Sequence, residues 1–378
     1  MANSLSEILP KILARGLITL REQAVMPRLV NGSYSDEAAM KGDTIDVPIP
    51  TGNSATDVTP APVYSSATSV TPAKVQVSLD NWKKSNFYLS DKDLTEIDRN
   101  AHFMPMQMAE AIRALANVVN EDIHAEYKGI YGYTGTAGIT PFGSTVTDAT
   151  NSRKVLNQQR APRTDRRGVL DYDAEANALA LSPFSDADKV MSAEVKIDGE
   201  IGRKFGIDWV ADDAVVTHTA GTASAITVGS ATAAGASSIE LTATGAGSIL
   251  EGDIFTIAGD TQTYVCKASA ALTSTGDTSV SIDPPLVANV SSEAVTLKAS
   301  HVVNLAFHRD AFAFANRPLV SNSTDLALGS EIMSMTDPMT GITLRVEVSR
   351  QYKQVTWEFD ILWGAKLVRP ELATRIAG

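Results

Sequence analysis

Cysteine is nearly absent: Cys266 is the only one in 378 residues. An intrachain disulfide and a thiolate metal cluster are thereby excluded. Charged residues reach only 20% and aromatic ones 6%. Thr, Ser, Ala and Gly fill the gap, which favours strands and turns over solvated helices. Cations are outnumbered, with 32 Lys and Arg against 44 Asp and Glu, for a formal net charge of −12. No basic block is present, which argues against nucleic-acid grip as the main task and against strong binding to anionic membranes. No apolar run is long enough to span a bilayer. The N-terminus lacks an apolar core behind a basic start, so no signal peptide is expected. These absences describe a soluble protein made in a cytoplasm, with ample core for two or three domains.

Catalytic signatures are missing as well. The five histidines have no metal-ligand spacing, and no Gly-x-Ser-x-Gly occurs. His308-Arg309-Asp310 matches a fragment of a kinase catalytic loop, without the glycine-rich loop, strand lysine or Asp-Phe-Gly that would give it meaning. The acidic pairs Asp91/Asp93 and Asp186/Asp188 fall at expected helix starts, where carboxylates favour the dipole. Cys266 lies in an expected strand and reads as buried rather than nucleophilic. Gly129-Ile130-Tyr131-Gly132 is a glycine-punctuated turn with no Gly-Lys-Ser/Thr behind it, so it is not a phosphate loop. No cofactor is expected.

What is present starts with one long helix. From Phe103 to Gly129, Met108, Ile112, Leu115, Val119, Ile123 and Tyr127 recur at three- and four-residue steps and form one stripe. Pro105 suits the first turn, and Lys128 with Gly129 suits the last, the glycine as a left-handed cap. The rod would be about 35–40 Å long. Residues 4–22 read as an amphipathic helix with a capping-box pair, Ser4 and Glu7, and with Pro10 as a kink. It would dock on a partner chain or on its own core. Strands are expected over 44–48 and 75–79, the second running on towards Phe87. Between them, residues 49–74 are rich in Thr, Ser, Ala and Pro and have too little bulk for a core of their own. Either disorder or ordering by another chain accounts for them.

Further along, 145–159 reads as a helix, Gly168–Tyr172 as a strand and 185–196 as a helix capped by Ser185. Arg160, Arg163, Arg166 and Arg167 form the most basic patch, a solvated or contact surface more than a phosphate site. From Thr219 to Ser300 the composition shifts to Ala, Thr, Ser and Gly. Six short strand-like runs occur there: 225–228, 239–242, 253–258, 262–266, 279–283 and 294–297. They suggest a small β-barrel or sandwich inserted into a parent domain, with its ends close together. Seven acids against two lysines give this stretch −5. Its expected core includes Phe255, Ile257 and Tyr264. Near the end, Ile342, Leu344, Val346 and Val348 alternate with polar residues, as do Val355, Trp357, Phe359 and Ile361, which predicts a hairpin turning near 350–353.

Four stretches together resemble the major capsid (coat) proteins of tailed bacteriophages. They are Arg113, Leu115, Ala116, Asn117 and Val119 in the long helix, Asn304 to Ala311, Asp337 to Ile342, and Leu362-Trp363-Gly364 followed by Arg369-Pro370-Glu371. In order and spacing they span nearly the whole chain and are similar to the P-twenty-two-like branch, whose Hong Kong 97-like shell fold carries a β-barrel insertion. The resemblance implies an α+β fold with an N-terminal arm (1–27), an extended loop (49–74) and a peripheral domain with a spine helix (28–48, 75–130 and 342–378). It further implies an axial domain (131–218 and 301–341) and the inserted barrel (219–300). It also implies self-assembly into pentamers and hexamers of an icosahedral head enclosing double-stranded DNA, in a virion assembled in the host bacterial cytoplasm. Scaffolding, portal and decoration or cement proteins would be partners, and no membrane or enzyme activity is implied. Assembly contacts would fall on Leu5, Ile8 and Ile12 of the arm, on Pro60, Pro62 and Tyr64 of the loop, and on the four arginines. An encapsulin-like cellular shell shares the fold; an extracellular β-domain adhesin and an enzyme with an inserted binding domain are the readings outside it.

Overall fold

The computed structural model describes residues 13–14, 16–20, 24–34, 44–50, 55, 57–58, 60, 72–92, 103–185, 199, 201–274, 276–319, 330–337 and 339–378. Strands β1 (Thr44–Ile49), β2 (Ala73–Ser78) and β3 (Asn81–Ser90) lead to helix α1 (Phe103–Ala125). β4 (Gly132–Gly135), α2 (Thr147–Gln158), β5 (Arg166–Leu170) and α3 (Tyr172–Ala180) follow. Then come β6 (Gly202–Lys204), β7 (Ile207–Ala211) and the short β8 (Thr217–His218). The insertion holds β9 (Ile226–Val228), β10 (Ser238–Ala243), β11 (Gly247–Ile249), β12 (Ile254–Ile257), β13 (Thr263–Cys266), β14 (Ala270–Leu272), β15 (Thr278–Asp283) and β16 (Ala294–Leu297). The chain closes with β17 (His301–His308), β18 (Phe312–Asn316), β19 (Ser330–Thr336), β20 (Thr343–Gln351), β21 (Gln354–Leu367) and β22 (Ala373–Ala377).

Helix α1 forms for the expected reason. Met108, Ile112, Leu115, Val119 and Ile123 are all buried, and Tyr127 continues the stripe in the 3₁₀ turn Glu126–Gly129. The stripe faces the sheet β18-β21-β20-β19, to which β3 adds along β21. A polar clasp fixes the register of helix on sheet. Asp122 of α1 accepts from Trp363 Nε1 at 2.8 Å and from Asn81 Nδ2 at 2.8 Å. Gly364 follows that tryptophan because a Cβ there would run into the Ser78 carbonyl. The hairpin β20–β21 turns where expected, with Gln351 opposite Gln354 and Lys353 in the left-handed region at φ 53°.

A second sheet runs β4-β22-β17-β5-β7-β6, with β8 beside β17. It shares one continuous core with α1 and the first sheet. The insertion leaves and rejoins this sheet at adjacent points, since His218 of β8 lies opposite His301 of β17. Between them, β10-β15-β13-β12-β16-β9 close a six-stranded barrel, which matches the six runs read from the sequence. Phe255, Ile257 and Tyr264 are buried in its separate core, and Phe255 stacks on Tyr264 with ring centroids 5.9 Å apart. β11 and β14 pair as an extra ribbon.

Both sheets draw strands from the C-terminal third of the chain. Residues 312–316 and 330–336 pair with the sheet on α1, whereas 373–377 pair with β17 and β4. Tyr172 opens α3 instead of ending a strand, because Ala174 and Ala178 provide a buried helical face at i, i+4. Gly129 is not a left-handed cap; it lies against Leu367, whose Cδ2 would be 2.7 Å from an added Cβ. Ser185 ends a short helical turn from Ser182, and the expected helix over 186–196 lies outside the described residues. In the N-terminal helix, Leu13, Leu17 and Leu20 are buried in the chain's own core, so this part docks at home.

Candidate functional site

The four arginines do not form one surface. β5 alternates its side chains across the sheet, and that period turns Arg166 inward, where it is 3% exposed. Its guanidinium donates to the carbonyls of Pro162 and Ala161 and to Asn157 Oδ1, which ties the α2–β5 connection together. Arg167 is half-buried and pairs with Asp208 at 2.8 Å. Only Arg160, which has φ 61°, and Arg163 are exposed and open to another molecule. Burial, with Arg153 and Arg163 nearby, pushes the Arg166 guanidinium down from its ordinary value.

The extended loop grows from the β1–β2 pair. Ile49 opposite Ala73 is its last pair, so the excursion narrows to residues 50–72. Ile45, Val47, Val77 and Leu79 pack with Ala313, Ala315 and Val368 at its base. Pro60 is exposed. Pro62 and Tyr64, like Leu5, Ile8 and Ile12 of the arm, lie outside the described residues.

A buried polar joint, which was not foreseen, holds the barrel on the parent body. Arg375 of β22 is fully buried and donates to Gly252 O at 2.8 Å, across the joint, and to Lys128 O at 3.2 Å. Its guanidinium lies 4.9 Å from the centroid of the Tyr127 ring. Burial pushes it down to about 9. Asp253, at the foot of the barrel, accepts from Gly221 N, Leu250 N and His218 Nε2, the last at 2.9 Å. Tyr127 Oη and His218 Nδ1 are 3.1 Å apart. Thr263 donates to Tyr131 O at 2.6 Å, and Tyr131 packs on Ile254 and Val265. The rim carries Lys128 near Glu251 at 4.0 Å and Lys298 over the Tyr133 ring. No local pattern signals this cluster, because His124, His218 and His301 lie far apart in the sequence.

No arrangement for catalysis emerges from the described residues. No group of three His, Cys, Asp or Glu is placed to hold a metal there. Cys266 is buried, and burial pushes its thiol up to about 11. His308 accepts from Asp310 N, so His308-Arg309-Asp310 is a capped turn after β17. Asp337 accepts from Thr340 N and Thr340 Oγ1 between β19 and β20. An open cleft of about 560 Å³ includes Arg167 and Asp208, already paired, with Arg28, Tyr172, Glu175 and Trp209. Among the described residues no helix is long and apolar enough to cross a membrane.

No protein-family model matches the chain, and no curated protein matches it. Solved structures do. The structure titled "Mycobacterium phage Che8" is 14% identical, with TM-score 0.53, over 94% of this chain and 91% of that one. "Capsid structure of the Cyanophage P-SCSP1u" is 12% identical, with TM-score 0.48, over 89% and 84%. "Crystal structure of virus-like particle from Pyrococcus furiosus" is 8% identical, with TM-score 0.44, over 97% and 98%. The first of these likenesses establishes a shared fold.

Proposed function

We propose that the chain is the major capsid (coat) protein of a tailed bacteriophage, a structural and non-enzymatic protein. It self-assembles into pentamers and hexamers that close an icosahedral head around double-stranded DNA. The observation that carries this reading is the fold, shared with the Che8 phage chain over nearly the whole length of both. The four sequence stretches that resemble coat proteins support it from a separate side. Each has a structural task here: α1 backs a sheet, His308–Ala311 forms a turn, Asp337 accepts from Thr340 between β19 and β20, and Trp363-Gly364 locks sheet to helix.

In the finer reading the fold is Hong Kong 97-like and of the P-twenty-two-like branch. The sheet on α1 is the peripheral domain, the sheet around β17 is the axial domain, and residues 50–72 reach over a neighbouring subunit. Pro60, Pro62 and Tyr64 of that loop make assembly contacts, as do Leu5, Ile8 and Ile12 of the arm. Of the four arginines, Arg160 and Arg163 are the two whose exposure suits a contact. Scaffolding, portal and decoration proteins are the partners expected of such a shell, with assembly in the host cytoplasm. A net charge of −12 suits a wall that does not grip packaged phosphates. An encapsulin-like shell is the alternative within the fold, and the closed inserted barrel favours the coat branch.

Size-exclusion chromatography with light scattering, on the full chain expressed with a scaffolding protein, tests the reading. Particles far heavier than the 40.1 kDa chain are expected. A stable monomer at high concentration would sink it.

A further inference from the structure

The barrel has a closed sheet and a core of its own, and it meets the parent body through buried polar groups with a small apolar contact. Such a joint depends on the charge state of what lines it, because a buried charge without a partner is costly. His301 stands at its centre, 2% exposed, at the residue where the chain re-enters the parent sheet. Its Nδ1 donates to Ala299 O at 2.8 Å, and its Nε2 is buried with no hydrogen-bond partner among the described residues. A proton arriving at Nε2 therefore finds no acceptor.

The groups around that ring decide what a charge there would meet. On β8, His218 lies 5.5 Å away between ring centroids; on β4, Tyr133 is edge-on at 5.5 Å. The Arg375 and His218 charges disfavour a protonated His301, and Asp253 favours it. Asp253 already accepts from His218, Gly221 and Leu250. From α1 and the turn after it, His124 and Tyr127 complete the cluster, with His124 donating to Val303 O. At the rim Lys298 sits over Tyr133, and Lys128 faces Glu251. On another edge Asp283 of the barrel feels Glu371 of the parent and Lys267. Protonation of Asp283 would ease that repulsion, so this edge acts in the opposite sense to His301.

We propose that the joint is a proton-operated latch, in which acid charges His301 beside Arg375 and frees the barrel from the parent body while both stay folded. Burial, with Arg375 and His218, holds the docked His301 down to about 4 from an ordinary 6.5. Once free, the ring regains its ordinary affinity, so between these values each unit of acidification raises the release constant about tenfold for this one group. The latch belongs to the single chain and does not rest on the shell reading.

The test uses the full chain with spin labels on Thr261→Cys of the barrel and Glu121→Cys of α1, both exposed positions. All four tryptophans lie outside the insertion, so their emission reports parent folding independently. A narrow interspin distance at pH 7.5 is expected to broaden as the pH falls from 6 towards 4, with about one proton taken up per release and native tryptophan emission. His301→Asn keeps a donor for Ala299 O and removes the titration, and should hold the narrow distance to lower pH. A distance that stays narrow until tryptophan emission reports unfolding would overturn the proposal. So would release with no proton uptake in the unsubstituted chain, a result that stands even if the variant is loosened at pH 7.5. Release at an unchanged pH in a docked His301→Asn variant would overturn it too.

Discussion

Arg375 concentrates several demands in one side chain. It is buried, bonded to two carbonyls on opposite sides of a joint, and packed on Tyr127. Replacement by Met keeps the bulk and strands both acceptors. Arg375→Met should therefore cost about 2–4 kcal/mol in a denaturant melt, and a change within about 0.5 would contradict the joint as described. A histidine sets a pH dependence. His124 is held down to about 4 by burial against an unfolded value near 6.5. Between these values the unfolded chain binds more protons than the folded one, so stability falls as pH drops from about 6.5 to 4. The loss should reach roughly 2–3 kcal/mol for this histidine, and equilibrium melts at pH 7 and 4.5 would detect it. Little of this was legible in the sequence. Arg166 looked like surface because its neighbours are cationic; only the strand's alternation turns it inward. The joint draws on residues from six separate stretches, which no local pattern connects.

Elements were far more legible, because their signals are periodic. The stripe on α1 and the six barrel strands follow from local spacing alone. Which sheet a strand joins does not follow from local spacing, because its pairing partners lie far away in the chain. Leu115 is 2% exposed on the stripe, so Leu115→Ala should cost about 2–5 kcal/mol of global stability. Phe255 is fully buried in the barrel, so Phe255→Ala should cost about 3–5 kcal/mol there. Its effect should stay local: amide exchange in the full chain should accelerate over 226–297 and hold steady along α1. Uniform acceleration would mean that the barrel has no independent core. The loop gives a third prediction. Because Ile49 and Ala73 are the last cross-strand pair, an Asn-Gly turn in place of 50–72 can close β1 onto β2. The shortened monomer should melt within about 1 kcal/mol of the full chain and fail to form shells. Normal shells from it would remove the loop from assembly.

The described residues form one continuous core shared by α1 and both sheets, with an attached barrel that has a core of its own. Under the capsid reading, a 40.1 kDa chain of this kind is a repeating part whose stability is set internally. Among the described residues no group of three His, Cys, Asp or Glu is placed to hold a metal, and Cys266 is buried in the barrel. Electron cryomicroscopy of particles from cells expressing the full chain with its scaffolding protein can test the capsid reading. Closed icosahedral shells are expected, with density for residues 50–72 lying on an adjacent subunit. Isolated 40.1 kDa particles, or open aggregates without symmetry, would contradict the capsid reading.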